Sequence, residues 1–287
     1  MTDASTGSRL FAGRHGVSNR VRVTLDGPVA MVSLARPEQH NGMDLPMLDA
    51  VRRAARRLRK DRQVRAVILH GEGPSFCAGL DVKSVLGRPA TAALAVAALF
   101  SPTRNRFQEW SMAWRELPVP VIAAIHGNCF GAGLQLALGA DLRLATPDAR
   151  LSVMEVKWGL VPDMGGAALL RELVPIDVAK ELAMTGRIVS GTEAQALRLV
   201  TRVTDAPLDE ARALAAEIAT RSPDAVAAAK FLLQDGWHAG EAEALAAERR
   251  WQRRVIAGRN QRIAVRRNAP RSPDQPELPF LPRQIGS

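Results

Sequence analysis

The 287-residue chain has no tyrosine, only two cysteines and five histidines, and aromatics make up 4% of it. Two cysteines cannot build a disulfide framework, and a chain that is 47% hydrophobic needs none to hold its core. Their scarcity fits a reducing compartment, so a cytoplasmic location is expected. Neither cysteine has a CxxC neighbour or a clustered histidine, so no metal site is expected. Apolar runs of 18 residues are missing too, so no membrane insertion is expected. Residues 1–18 are polar and small and lack the apolar centre of a signal peptide. Lysine is scarce as well. Only five of the 39 basic residues are lysine, and arginine carries the formal charge of +10. Such a charge attracts polyanions in general. Here the arginines are spread over helix faces and the C-terminal stretch without interleaved aromatics, which fits a coding bias better than a nucleic-acid surface.

Strand and helix patterns alternate along the chain. Val21–Leu25 and Val29–Leu34 read as two strands around Asp26-Gly27-Pro28. Asp44 can cap the next helix and Pro46 suits its first turn. Leu48, Val51, Ala55 and Leu58 recur at helical spacing, with Arg52, Arg53, Arg56, Arg57 and Arg59 on the wet side. Val64–His70 reads as a strand, 91–116 as a helical stretch, and Val119–Ile125 as a strand covered on both faces. Short strands follow at 141–145, 150–153 and 200–203. Helices are expected at 163–173, 176–184, 192–198, 207–220, 223–236 and 240–257. Repeated β–α units predict an α/β core over 19–205 with a helical C-terminal region over 206–258. The segments 1–18 and 259–287 read as flexible ends, the latter a basic Pro/Arg-rich tail.

Two glycine-bearing segments follow strand-like runs, Ser75-Phe76-Cys77-Ala78-Gly79-Leu80-Asp81 and Gly127-Asn128-Cys129-Phe130-Gly131-Ala132-Gly133. Each can present a main-chain N–H without a bulky side chain in the way. Two such groups aimed at one point stabilise a carbonyl oxygen that becomes negative. The glycines at 131 and 133 also suit tight helix–strand packing.

These segments, together with Arg36-Pro37-Glu38-Gln39-His40-Asn41, Pro120 to Asp141, and Met154-Glu155 through Gly165-Gly166, resemble the crotonase superfamily, the enoyl-CoA hydratase/isomerase family. The similarity runs from about residue 20 to 258. It implies a crotonase-like fold of repeated ββα units in two roughly perpendicular sheets, with C-terminal helices that drive assembly of a homotrimer or hexamer. It also implies acyl-CoA thioester substrates of fatty acid metabolism, with coenzyme A entering as part of the substrate and no tightly bound cofactor. By motif position the oxyanion-hole donors are the N–H groups of Leu80 and Ala132. Ala132 stands where the family usually has glycine; its first-turn N–H has no helical partner, and the helix dipole adds positive potential. Coenzyme A contacts map to Arg36, Gln39, Ala78, Asp81 and Lys83.

Hydratases of this family carry two glutamates, and here the two positions hold Gln135 and Glu155. Glutamine cannot exchange a proton near neutral pH. Glu155 remains a general base for a carbon-bound hydrogen beside the thioester. Asp163, eight residues on, resembles the proton-shuttling aspartate of the dienoyl-CoA isomerase branch; that branch has Asp where Gln135 stands. Asp163 equally fits the N-cap of a helix starting near Met164. The expected activity is isomerisation of an enoyl-CoA by proton transfer. One alternative is a lyase-type hydratase that relies on Glu155 alone, with Gln135 placing the water. Another is an RNA-binding relative using the basic helix 44–60 and the tail. Cys77 is expected as a small buried residue, His126 as structural, and Trp110, Trp114, Trp158, Trp237 and Trp251 as core, acyl-pocket wall or subunit interface.

Overall fold

The chain reverses at Gly27 (φ 54°), and Val21–Asp26 pairs antiparallel with Val29–Leu34, from Asp26↔Val29 to Val21↔Leu34. In this computed structural model the described residues are 9–10, 19–85, 87, 89–269 and 277–286. With Arg9–Leu10 as β1, the two paired strands are β2 and β3. The others in chain order are β4 (Ala66–Gly71), β5 (Val121–Ile125), β6 (Asn128–Phe130), β7 (Leu142–Ala145), β8 (Arg150–Ser152), β9 (Val189–Ser190) and β10 (Arg202–Val203). One sheet has the order β1-β2-β3-β4-β5-β7-β10, antiparallel through β3 and parallel from there on. A three-stranded mixed sheet, β6-β8-β9, adjoins it in sequence. The helices are α1 (Leu45–Lys60), α2 (Val82–Val85), α3 (Pro89–Ala98), α4 (Glu109–Arg115), α5 (Ala132–Leu138), α6 (Gly166–Leu170), α7 (Ile176–Thr185), α8 (Gly191–Ala196), α9 (Pro207–Ala219), α10 (Pro223–Gly236), α11 (Glu241–Val255) and α12 (Arg259–Asn268).

Period-two alternation explains why the central strands are apolar throughout. Val67, Leu69, Val121, Ala123 and Ile125 point to one face, where they pack with α1, Trp110 and Trp114. Ala66, Ile68, Ile122, Ala124 and Leu144 point to the other, where α9 covers them with Ala211 and Ala215. Helix α1 forms as its pattern predicts. The Asp44 carboxylate accepts from Met47 N at 2.8 Å, and Leu48, Val51, Ala55 and Leu58 are buried. Three of its arginines join α1 to α4: Arg52 and Arg56 pair with Glu109 at 2.6 and 2.7 Å, and Arg59 with Glu116 at 3.5 Å.

Three expectations change. The helical stretch 91–116 is two helices, α3 and α4, because Pro102 interrupts it and Asn105 Oδ1 accepts from Phe107 N and Gln108 N to begin a new turn. The helix expected over 163–173 shrinks to α6, whose N-cap is Gly165 (φ 91°). The flexible tail is in large part ordered. Residues 259–268 are α12, and 277–286 return to the core, while 270–276 lie outside the described residues. At the other end, 1–8 and 11–18 also lie outside them, but Arg9–Leu10 pairs with β2 as a strand.

The returning segment is held by polar groups that composition does not reveal. Asp224, buried at the start of α10, accepts from Gln284 N (2.6 Å), Ile285 N (3.0 Å) and Asn260 Nδ2 (2.8 Å). Arg283 N donates to Arg62 O, Arg65 donates to the carbonyls of Phe280 and Leu281, and Ile285 enters the cluster of Phe231 and Trp251. Deleting residues 277–287 strips Asp224 of two donors and uncovers that cluster, a cost on the order of 2–4 kcal/mol. The expected result in thermal unfolding is a Tm lower by roughly 5–15 °C. A Tm equal to that of the full chain would show that the segment does not latch the helices.

Candidate active site

The two glycine segments meet main chain to main chain. Cys77 N donates to Asn128 O (3.0 Å) and Phe130 N to Cys77 O (3.0 Å), so Cys77 and Cys129 form a parallel bridge. A Cβ on Gly79 (φ 97°) would lie 2.8 Å from Phe130 O, and 3.8 Å from Ala132 N. Only glycine permits this approach. Gly131 (φ 49°, ψ −116°) turns the chain into α5, and a Cβ there would stand 3.3 Å from Glu155 Oε1.

Peptide planarity fixes where two N–H groups point. Gly79 O accepts from Met43 N at 2.7 Å, and the trans peptide sends the Leu80 N–H the opposite way. Gly131 O accepts from Gln135 N at 2.9 Å along α5, so the Ala132 N–H points out of the helix start. Neither N–H makes a hydrogen bond among the described residues. Leu80 and Ala132 line one cavity of about 120 Å³, together with Ala78, Glu155, Trp158 and Asp163.

Glu155 opens a single 3₁₀ turn, Glu155–Trp158, and is buried. Gln135 Nε2 donates to its Oε1 at 2.5 Å, and its Oε2 is buried without a partner among the described residues. Burial pushes the Glu155 carboxyl above its ordinary range; its own turn and Gln135 partly offset this, and the Asp163 charge adds to the rise. Asp163 sits on the more exposed wall, and its carboxyl is also raised by loss of solvent. It does not cap a helix, since α6 begins three residues later behind Gly165. Gln135 is 2% exposed, and its Oε1 accepts from Met164 N (2.8 Å) and Gly166 N (3.0 Å). Sequence reasoning missed those two amides; the Gly165-Gly166 pair was their one trace.

The proposed coenzyme A residues divide. Arg36 and Asp81 pair with each other at 2.9 Å, Arg36 also donates to Gly42 O, and Asp81 accepts from Ser84 N and Oγ. Burial alone would raise the Asp81 carboxyl, but Ser84 and Arg36 hold it below its usual range. Gln39 and Lys83 are exposed, and Lys83 has no ion pair among the described residues. Cys77 is no nucleophile: burial pushes its thiol up to about 12 while its Sγ donates to Asn41 O. His126 is tied to Gly73 O through Nε2. Trp110, Trp114 and Trp251 are buried, and Trp110 Nε1 donates to Ala132 O at 2.7 Å; Trp158 and Trp237 are exposed. A wider cleft of about 570 Å³ lies beside Lys230 and Asp141. Its buried ammonium is already satisfied by Asp141 Oδ2 (2.7 Å) and the carbonyls of Trp114 and Val119.

The chain has a mixed α/β fold with a helical C-terminal region and a small cavity that joins two unpaired amides to one buried and one more exposed carboxyl. The enoyl-CoA hydratase/isomerase family matches residues 25–268, and the chain belongs to that family, the crotonase superfamily. It is 35% identical over 234 residues to enoyl-CoA hydratase domain-containing protein 2, mitochondrial, of Bos taurus (78% of this chain, 77% of that one). It is 34% identical over 217 residues to carnitinyl-CoA dehydratase of Salmonella enteritidis (75% and 80%). The crystal structure of an enoyl-CoA hydratase from Mycobacterium smegmatis superposes with a TM-score of 0.78 at 31% identity, covering 87% of this chain and 95% of that one. The chain is therefore an acyl-CoA enzyme of hydratase/isomerase type.

The raised carboxyl of Glu155 has a consequence for stability. At low pH it is protonated in both folded and unfolded states. As pH rises past about 4.3 the unfolded chain ionises first, so folding is progressively disfavoured until the native group ionises too. Glu155→Gln is expected to have a higher Tm than the parent at pH 7, with the difference vanishing near pH 4. A Tm difference independent of pH would mean that Glu155 titrates like an exposed carboxyl.

Proposed function

We propose that the protein is an enoyl-CoA isomerase that moves a carbon–carbon double bond by proton transfer at a thioester. The observation that carries this reading is one small cavity holding the unpaired Leu80 and Ala132 sites, the buried Glu155 and the more open Asp163. Leu80 N–H and Ala132 N–H donate to the thioester oxygen. Each donor of this kind contributes about 2.7–4 kcal/mol to a developing oxyanion. Helix α5 has only seven residues, so the N–H itself carries the effect. Glu155 takes a proton from the carbon beside the carbonyl. The freed C–H electron pair becomes part of a dienolate, and its negative charge rests on the held oxygen. Asp163, the partner acid, gives a proton to the γ-carbon, which restores the carbonyl and leaves the double bond one carbon nearer to it; the proton held by Glu155 then passes to Asp163 and resets both carboxyls. No water is added or lost.

Coenzyme A enters as part of the substrate, with Lys83 meeting its phosphates and the main chain near Gln39 and Ala78 meeting its adenine. Arg36 and Asp81 shape that surface as a pair. A homotrimer or hexamer is proposed, supported by Leu233 and Trp237, large apolar side chains left exposed at α10. A reducing, cytoplasmic setting is supported by two free, buried thiols. Among the described residues no helix is long and apolar enough to cross a membrane.

A hydratase of lyase type working through Glu155 alone is the second reading, favoured by the hydratase and dehydratase names of the relatives. An RNA-binding role has less support, because three of the five arginines of α1, Arg52, Arg56 and Arg59, pair with Glu109 and Glu116. Assays of crotonyl-CoA hydration and of 3-enoyl-CoA isomerisation, run side by side, separate the first two. Isomerisation is expected to dominate and to fall roughly 10²–10⁴-fold in Glu155→Gln with acyl-CoA binding retained. Its acid limb in kcat/KM should lie above the usual glutamate value of about 4.3, since the base must be ionised. Hydration outpacing isomerisation, or full turnover in Glu155→Gln, defeats the proposal.

A further inference from the structure

Gln135 has one acceptor oxygen and two donor hydrogens on its amide. Both lone-pair directions of the oxygen are taken by main-chain N–H groups, Met164 at 2.8 Å and Gly166 at 3.0 Å. Turning the amide over would aim an NH₂ group at two N–H donors inside a buried site, so the main chain imposes the orientation. Nε2 therefore faces Glu155 and donates to Oε1 at 2.5 Å. The other oxygen, Oε2, is buried with no partner among the described residues. Met164 directly follows Asp163, so the same amide also ties the segment bearing the second carboxyl to the first.

From this geometry we infer that Gln135 is a positioning residue: it fixes the orientation of the Glu155 carboxyl through Oε1 and holds the Asp163 segment at a set separation from it. The inference rests on reading Glu155 as the proton carrier. Few groups compete for control of that carboxyl. Gln135 from α5 is neutral, Gly131 has no side chain, and the charge that bears on Glu155 comes from Asp163. Position 135 thus decides whether the cavity works with one buried carboxyl or with two that share a proton. A glutamate there keeps both main-chain donors on one oxygen and sets its other oxygen within hydrogen-bond reach of Glu155 Oε1. Two carboxyls that close titrate as a pair, with two separated apparent pKa values.

The test uses two variants and two readouts. Gln135→Glu retains the anchor to Met164 and Gly166. Its kcat/KM profile for 3-enoyl-CoA isomerisation should show two ionisations on the acid side, the second at higher pH than the parent's single one. Gln135→Met loses both holds; kcat should fall about 10–100-fold while KM stays within about threefold. If the methionine variant does not fold, the glutamate variant decides. Independently of turnover, infrared difference spectra of the carboxyl C=O band, assigned through Glu155→Gln, should show one titration in the parent and a coupled pair in Gln135→Glu. A parent-like single ionisation in Gln135→Glu by both readouts, or a Gln135→Met enzyme with parental kcat, overturns the inference. Solvent deuterium exchange into butyryl-CoA by the parent enzyme keeps the two claims apart. Its absence strikes the reading of Glu155 as a carbon base, and the infrared titration then still decides the role of Gln135.

Discussion

The closeness of two backbones governs this molecule. Gly79 lies against Phe130 O, and the bridge between Cys77 and Cys129 stitches the two glycine segments together. Once they are joined, the Leu80 and Ala132 peptides are pinned through their carbonyl sides: Gly79 O accepts from Met43 N–H and Gly131 O from Gln135 N–H. Among the described residues their own N–H groups have no partners, and both residues line the cavity. Both cysteines are fully buried, Trp110 holds the Ala132 carbonyl, and the parallel strands β4 and β5, neighbours in the middle of the sheet, deliver both segments from their C-terminal ends.

The second constraint is electrostatic. A carboxylate of a glutamate that is nearly out of solvent is unfavourable, and here only one of its oxygens is compensated. A cation next to Glu155 would have stabilised it and also lowered its basicity. A neutral amide does neither strongly. Gln135 orients the group, leaves it a raised affinity for protons, and is itself fixed by main-chain donors that side-chain repacking cannot easily remove. Among the described residues no arginine lines the cavity or is among the groups that shift Glu155 and Asp163, so the net charge of +10 leaves its carboxyls as they are.

Elements governed by local spacing were legible. The cap, stripe and wet face of α1 follow from residues 44–60, and β5 follows from an unbroken apolar run. The break at Pro102 and Asn105 was written in the chain but masked by the alanine-rich residues around it. Asp163 misled because a carboxyl before a short helix looks like a cap; Gly165 with its positive φ shifts the helix start beyond its reach. The tail misled for a different reason. Its proline and arginine content is that of an unpacked segment, yet its anchors are Asp224 and Arg283, which act on partners about 60 and 220 residues away.

The sequence by itself determined the alternation of strands and helices, the two glycine segments, and the presence of Glu155 and Asp163 beside a glutamine at 135 where the family's pattern has a carboxylate, because these depend on near neighbours and on motif. Tertiary structure alone decided which amides lose their partners, which oxygen of Glu155 stays uncompensated, that Arg36 is occupied by Asp81, and where the tail goes. Those outcomes depend on burial and on the direction of individual bonds between distant segments, and neither is encoded in any one stretch of chain.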